Sequence, residues 1–518
     1  MTEIAPIHSI AVRRHARRSS AVLWMAATLA VLAALLAIRP ANAAGPEFPA
    51  GAPWFNVSRP LTAADLKGRL VLLDFFTPGC INCIHTLPGT ARLQREFGGS
   101  LLVIGVNSPK FKASQGVDAI DGFIRRYHLD HPVVTDKQMR LWRQYGVFAW
   151  PTFVLLGPDG KVINKFIGEG QYAHIRKAVL QALAEARRDG SLNTAQSLPL
   201  KPLPVPDTPL LQPGKVAVDA QYVAVSDTGH NRIVLFDRAG KVVRVVGNGK
   251  AGAVDGPAAR TSFDSPQGLA FDDNALYVAD TGNQLIRRID LKTFAVTTVA
   301  GDGRQEYGVV GIHRARSVPL NSPWGLERIG DELYIAMAGD HQVWKLDLRT
   351  QRIGPVAGSG AEGIADGPAA QASFAQSSGL AYHGGRLYVA DPESSAVRAV
   401  QLADLHVRTL IGRGLFDFGL RNGPASSALL QHDQGLAYAN GSLYIADTFN
   451  DAIRRLDLQT QTVTTLATGL AQPGGLAVLG PHELIVADTN ANRLVAVDTH
   501  SGKVTRWPIA GLRPPPLH

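Results

Sequence analysis

The stretch "SPQGLAFDDNALYVADTGNQLIRRIDLKTFAVTTVAGDG" (Ser265 to Gly303) returns almost unchanged as "QHDQGLAYANGSLYIADTFNDAIRRLDLQTQTVTTLATG" (Gln431 to Gly469). Repetition at this period constrains the fold strongly, because each unit must bury its apolar side against a neighbouring unit. Weaker copies begin near Gln212, Ser322, Gln376 and Gln472, which makes six. Each unit reads as four short alternating strands, in the clearest copy "GLAF", "LYVAD", "LIRRID" and "VTTVA". Four-strand units spaced 40 to 57 residues apart predict a six-bladed β-propeller over residues 210–510, with a short tail at 511–518. A stacked solenoid would need capping repeats; a closed ring needs none.

Ahead of the repeats the pattern changes. "RLVLLDFF" (Arg69 to Phe76) and "LLVIGVN" (Leu101 to Asn107) are continuous apolar runs of strand length, as buried parallel strands require. Helical stretches follow near "DAIDGFIRRYH" and "MRLWRQYG", with a short "HPVVTD" strand between them. "TFVLL" and "KVINKF", joined by Gly157-Pro158-Asp159-Gly160, predict a hairpin, and a last helix covers Tyr172 to Arg188. Residues 44–190 are therefore expected to form an α/β domain around a mixed sheet. Residues 191–209 hold Pro199, Pro202, Pro204, Pro206 and Pro209, a spacing that favours an extended strap holding the two domains apart. The fold class expected is two-domain, α/β followed by all-β.

Of the formal charge of +9, the first 43 residues carry Arg13, Arg14, Arg17, Arg18 and Arg39 against Glu3 alone. The remaining excess, about +5, is diffuse, and no nucleic-acid partner is expected from it. The arginines precede "AVLWMAATLAVLAALLAI" (Ala21 to Ile38) and the small-x-small site Ala41-Asn42-Ala43, which reads as an export signal or a retained membrane anchor. Either way the expected location is periplasmic or otherwise extracytoplasmic.

The chain has two cysteines, Cys80 and Cys83, within "LLDFFTPGCINCIH". A c-type haem would need His directly after the second Cys, where Ile84 stands. A zinc site would need His85, His128 or His131 to converge on the pair. A bridge across a two-residue loop removes little unfolded-state entropy, so a structural staple is a poor use of it. A redox pair fits best. Cys80 follows a buried strand and opens a helix, whose unpaired N–H groups favour a thiolate. Cys80 is thus expected to be the exposed attacking sulfur, with Cys83 one turn further in to close on the mixed disulfide. No cofactor and no metal are expected.

Through these residues the front region resembles a thioredoxin fold of the larger TlpA or peroxiredoxin type. The resemblance implies that Asp74, six residues before Cys80, is a buried carboxyl handling the proton of Cys83. It implies that Pro88 kinks the active-site helix, and that Trp150-Pro151-Thr152 is a cis-proline loop facing the disulfide. Asp280-Thr281-Gly282-Asn283 and its counterparts at Asp227, Asp447 and Asp488 resemble NHL repeats. Those aspartates are expected to cap turns, and the repeated Arg232, Arg287, Arg398, Arg454 and Arg493 to bridge blades. The whole chain after the leader resembles the NHL repeat-containing protein 2 family, on "DFFTPGCINCIHTLP" and "WPTFVLLGPDGK"; Gly79 departs from it, standing where the animal protein has another Cys.

Three functions follow as expectations. The first is an exported thiol–disulfide oxidoreductase acting on protein thiols through Cys80, Cys83, Asp74 and Pro151. It would use an unidentified redox partner and a propeller face that binds a client protein. The second is a thiol peroxidase, since Thr77 stands three residues before Cys80, although Asp74 occupies the place of the expected proline. The third is a propeller binding scaffold whose cysteines are vestigial.

Overall fold

The computed structural model describes residues 45–515. The leader read at residues 1–43 and the last three residues of the tail lie outside them. Among the described residues no helix is long and apolar enough to cross a membrane.

The front domain runs β1 (Trp54–Phe55), α1 (Ala63–Leu66), β2 (Leu70–Phe76), α2 (Ile81–Phe97), β3 (Leu101–Asn107), α3 (Val117–Arg126), β4 (Val133–Thr135), α4 (Arg140–Gln144), β5 (Thr152–Leu156), β6 (Val162–Ile167) and α5 (Tyr172–Arg188). Its sheet has the order β1-β4-β3-β2-β5-β6. β2 pairs in parallel with β3 and antiparallel with β5, so it lies mid-sheet with apolar packing on both faces. That is why every residue of β2 and β3 is buried and why both read as unbroken apolar runs. Leu70, Leu72 and Phe153 pack under Leu93 of α2 and Ile175 and Val179 of α5. Val71, Leu73 and Phe75 fill the opposite face with Leu141 of α4.

The repeats form six antiparallel sheets with innermost strands at Val216–Val218, Leu269–Asp272, Pro323–Ile329, Gly379–His383, Gly435–Ala439 and Pro473–Gly480. These strands neighbour one another in sequence, and the sixth returns to the first, which closes a six-bladed ring. Blades one and six each draw their four strands from consecutive sequence, so the ring is not closed by a strand shared between the termini. Instead the C-terminal segment doubles back: Ala510 lies parallel to Lys241, and the Arg232 guanidinium donates to the Arg513 carbonyl. Trp507 packs edge-on against Phe236 of blade one, and Leu512 is buried in the same cluster. The first residues of the tail read at 511–518 are thus part of the ring's closure.

Two expectations are corrected here. The proline strap does not hold the domains apart. It lies along the front domain, where the Ser58 N–H donates to the Pro199 carbonyl, and Lys201 and Leu203 N–H groups donate to the Asn56 carbonyl and Oδ1 at 2.9 Å each. Arg287, Arg398, Arg454 and Arg493 do not bridge blades, whereas Arg232 of blade one also reaches the C-terminal segment that follows blade six. Fully buried Arg287 pairs with Asp280 at 2.6 Å inside its own blade and with Asp255 of the segment entering that blade. Arg398 and Arg454 sit in the same setting, against Asp366 and Asn422. Asp280 also accepts the Asp264 N–H at 2.8 Å, so each such carboxylate fastens the incoming segment to the start of the next strand.

Candidate redox site

β2 ends at Phe76, and Thr77-Pro78-Gly79 turns the chain into α2. Gly79 has φ +92°, a conformation that side-chain-bearing residues rarely adopt. Cys80 is the N-cap of α2, and its sulfur accepts the Cys83 N–H at 3.2 Å. The Cys83 thiol donates to the same sulfur at 2.7 Å, so two donors converge on Cys80 Sγ. Both cysteines are free thiols, packed among Phe76, Ile120, Phe123 and Leu87. Burial, then the hydrogen bond and charge of Cys80, push the Cys83 thiol well above its ordinary value.

Asp74 lies in the middle of β2 and is 1% exposed. Neither carboxyl oxygen has a hydrogen-bond partner, and burial raises the group from 3.8 to about 7. Its charge is the last and smallest of the influences that raise the Cys83 thiol. The Trp150–Pro151 peptide is cis, at the start of β5 beside the end of β2, and Trp150 joins the apolar cluster of both cysteines. Pro88 lies within α2. Thr77 Oγ1 accepts the Lys110 N–H at 3.1 Å.

Cys80 is not the open sulfur expected from its position: it is 9% exposed. Front-domain side chains surround the sulfur, and the propeller packs on the loop at either side of it. Gln376 holds the redox loop at two points, accepting the Ile81 N–H at 2.8 Å and donating to the Gly79 carbonyl at 2.7 Å. Lys110 reaches Glu393 at 2.5 Å in a buried ion pair, and Phe111 packs among His432, Phe418 and Phe449. His85 meets Ser322 at 2.6 Å and Tyr307 at 2.9 Å, while Gln212 donates to the Gly122 carbonyl at 2.7 Å. A Cβ on Gly79 would lie 2.6 Å from the His432 ring, and burial holds that ring down to about 4, so it is neutral at physiological pH.

These contacts share one register. Gln212, Ser265, Ser322, Gln376, His432 and Gln472 all have positive φ and stand just before the innermost strand of their blades. They form the rim of the channel on which the front domain sits. The channel below is narrowed by Gly268, Gly325, Gly379, Gly435 and Gly475; blade one has Lys215 at that place, donating to the Gln434 and Gly474 carbonyls. Reading the six repeats in register shows the Lys215 exception and the varied rim, but nothing in the sequence indicates that the rim meets the cysteines.

Comparison with known proteins agrees with both halves. A thioredoxin-like family model matches residues 68–162, and an NHL-repeat model matches residues 263–289. NHL repeat-containing protein 2 of Homo sapiens is 38% identical over 517 aligned residues, covering 90% of this chain and 71% of that protein. The chain belongs to the NHL repeat-containing protein 2 family. Protein SUPPRESSOR OF QUENCHING 1 of Arabidopsis thaliana is 36% identical over 512 residues, covering 91% of this chain and 48% of that protein. The thiol-disulfide oxidoreductase ResA of Bacillus cereus is 33% identical over 105 residues, 20% of this chain and 58% of that protein. This member of the NHL repeat-containing protein 2 family therefore has a thioredoxin-like domain of redox type followed by a six-bladed propeller.

Proposed function

We propose that the chain is an exported thiol–disulfide oxidoreductase whose propeller rests on the redox loop as a cover. Cys80 is the attacking thiolate, Cys83 the resolving thiol, Asp74 the proton acceptor, and the Trp150–Pro151 loop shapes the wall beside the sulfurs. The Arg-rich, apolar leader supports export, and no metal or cofactor is assigned.

The observation that carries this is the pair of sulfurs 2.7 Å apart, with an unpartnered buried carboxyl acting on the inner one. Cys80 attacks a disulfide sulfur, and the substrate's S–S bond breaks as its first thiolate leaves. Cys83 must then lose a proton that its surroundings hold tightly. A carboxyl at about 7 can accept that proton near neutrality, where an ordinary carboxylate is too weak a base. The Cys83 thiolate closes on Cys80, releasing the second thiol and leaving the protein disulfide.

Dithionitrobenzoate is the test reagent. Cys83→Ala should stop at a stable mixed disulfide on Cys80, releasing one coloured thiolate per chain, while Cys80→Ala should release none. Loss of cellular function with propeller variants but not with Cys80→Ala would favour the binding scaffold instead.

A further inference from the structure

The seated propeller leaves little room at the cysteines for a folded client, yet it leaves a groove for a small molecule. A groove of about 280 Å³ runs between α2, the turn after α3, and blades two and three. Its walls include Ile81, Ile84 and His85, from the first turns of the helix that the cysteines open. Its volume falls just short of the range for drug-sized sites, roughly 300–1,000 Å³, which suits a smaller ligand. Ile84, Arg126, Tyr127 and Trp324 also wall a second void of about 30 Å³. That void is lined by Pro78 and Gly79, the two residues before Cys80.

Two polar groups at this junction have no partner. Arg126 Nε and Trp324 Nε1 are both buried without a hydrogen bond, and Trp324 as a whole is 5% exposed. Among the described residues no carboxylate pairs with Arg126, whereas the adjacent Arg125 is paired with Asp121 at 2.6 Å. Burial first, and then the charge of Arg126, disfavour the charged form of Lys215 in the channel. A buried donor left unpaired costs about 1–3 kcal/mol. Two of them lining one cavity point to an acceptor supplied from outside. A guanidinium and an indole N–H lining one cavity are donors that a carboxylate can accept from.

We propose that the redox pair exchanges with a low-molecular-weight disulfide bearing a carboxylate, which Arg126 and Trp324 hold at the inner end of this groove. This rests on the thiol–disulfide activity proposed above and names its substrate class. The disulfide RS–SR accepts two electrons and two protons and leaves as two RSH, and the Cys80–Cys83 dithiol becomes a disulfide. Two further molecules of the same thiol run the exchange backwards.

The test mixes the reduced full chain with dithiodipropionate (anionic), hydroxyethyl disulfide (neutral) or cystamine (cationic). The rate of Cys80–Cys83 bond formation is divided by the rate at which free dithiothreitol reduces the same disulfide. The normalised rate should favour dithiodipropionate over hydroxyethyl disulfide by about tenfold, the worth of one charge-assisted hydrogen bond. Arg126→Gln should erase that preference while hydroxyethyl disulfide keeps its wild-type rate, and Trp324→Phe should reduce it in part. Equal normalised rates, a preference for cystamine, or an Arg126→Gln variant that slows all three alike would overturn the substrate class while leaving the activity standing. No exchange with any of the three would overturn the activity and the substrate class with it.

Discussion

Gln376→Ala removes the propeller's grip on the redox loop without touching a cysteine. The side chain makes two hydrogen bonds to that loop, from the Ile81 N–H and to the Gly79 carbonyl. Each neutral hydrogen bond of this kind contributes about 1 kcal/mol net. Losing both should favour release of the loop by about 2 kcal/mol, which raises the open fraction about thirtyfold. Because Cys80 is 9% exposed with the propeller seated, its alkylation should follow that fraction. The assay is labelling of Cys80 in the reduced full chain with a polyethylene-glycol maleimide, too bulky for the groove beside α2, read by the mass shift under conditions where labelling is slow relative to closing. A variant labelling within about twofold of wild type would refute the propeller as the gate, since two lost bonds are worth far more than that.

Asp74→Asn tests the carboxyl by two routes. A group at 3.8 when unfolded and about 7 when folded binds its proton more tightly in the folded state, so stability falls as pH rises between those values. The variant should lose that slope and gain up to about 4 kcal/mol above neutrality by thermal melts, while its resolving step loses the rise in rate centred near pH 7. Gly79→Ala adds a Cβ 2.6 Å from the His432 ring at φ +92°. It should speed Cys80 labelling, and His432→Ala in the same chain should relieve the clash but not the backbone strain of roughly 1–2 kcal/mol. Arg287→Met leaves Asp280 buried without its cation and should lower stability by about 3–5 kcal/mol in thermal unfolding. Removing the half-exposed Arg288 should change it by less than about 0.5 kcal/mol.

The elements were legible wherever one segment's own pattern decides its structure. β3 and α5 fall on the stretches read as strand and helix, because burial on both sheet faces and an amphipathic seam leave periodic marks. The four strands of blade two match their sequence runs for the same reason. The seat of the front domain on the propeller was not legible. Lys110 and Phe111 stand in an ordinary-looking loop, and Glu393, Gln376 and His432 come from rim positions where the repeats differ. No periodicity links such residues; only the closed ring brings them together. The linker failed for a related reason. Proline spacing fixes an extended backbone but says nothing about the surface that backbone lies against, here the Asn56 segment. The cysteine spacing indicated a sulfur at a helix start, and the structure has it there. Its exposure depended on a domain more than two hundred residues away, in the sequence range of Gln376 and Trp324.

The most direct measurement is the equilibrium of the two thiols against graded mixtures of reduced and oxidised glutathione, followed by alkylation and mass. One cooperative two-electron transition, in which Cys80 and Cys83 lose their labels together and regain them on reduction, is the predicted result. Labels on both cysteines at every ratio, or lasting glutathione adducts on Cys80 with Cys83 never joining it, would contradict the redox pair.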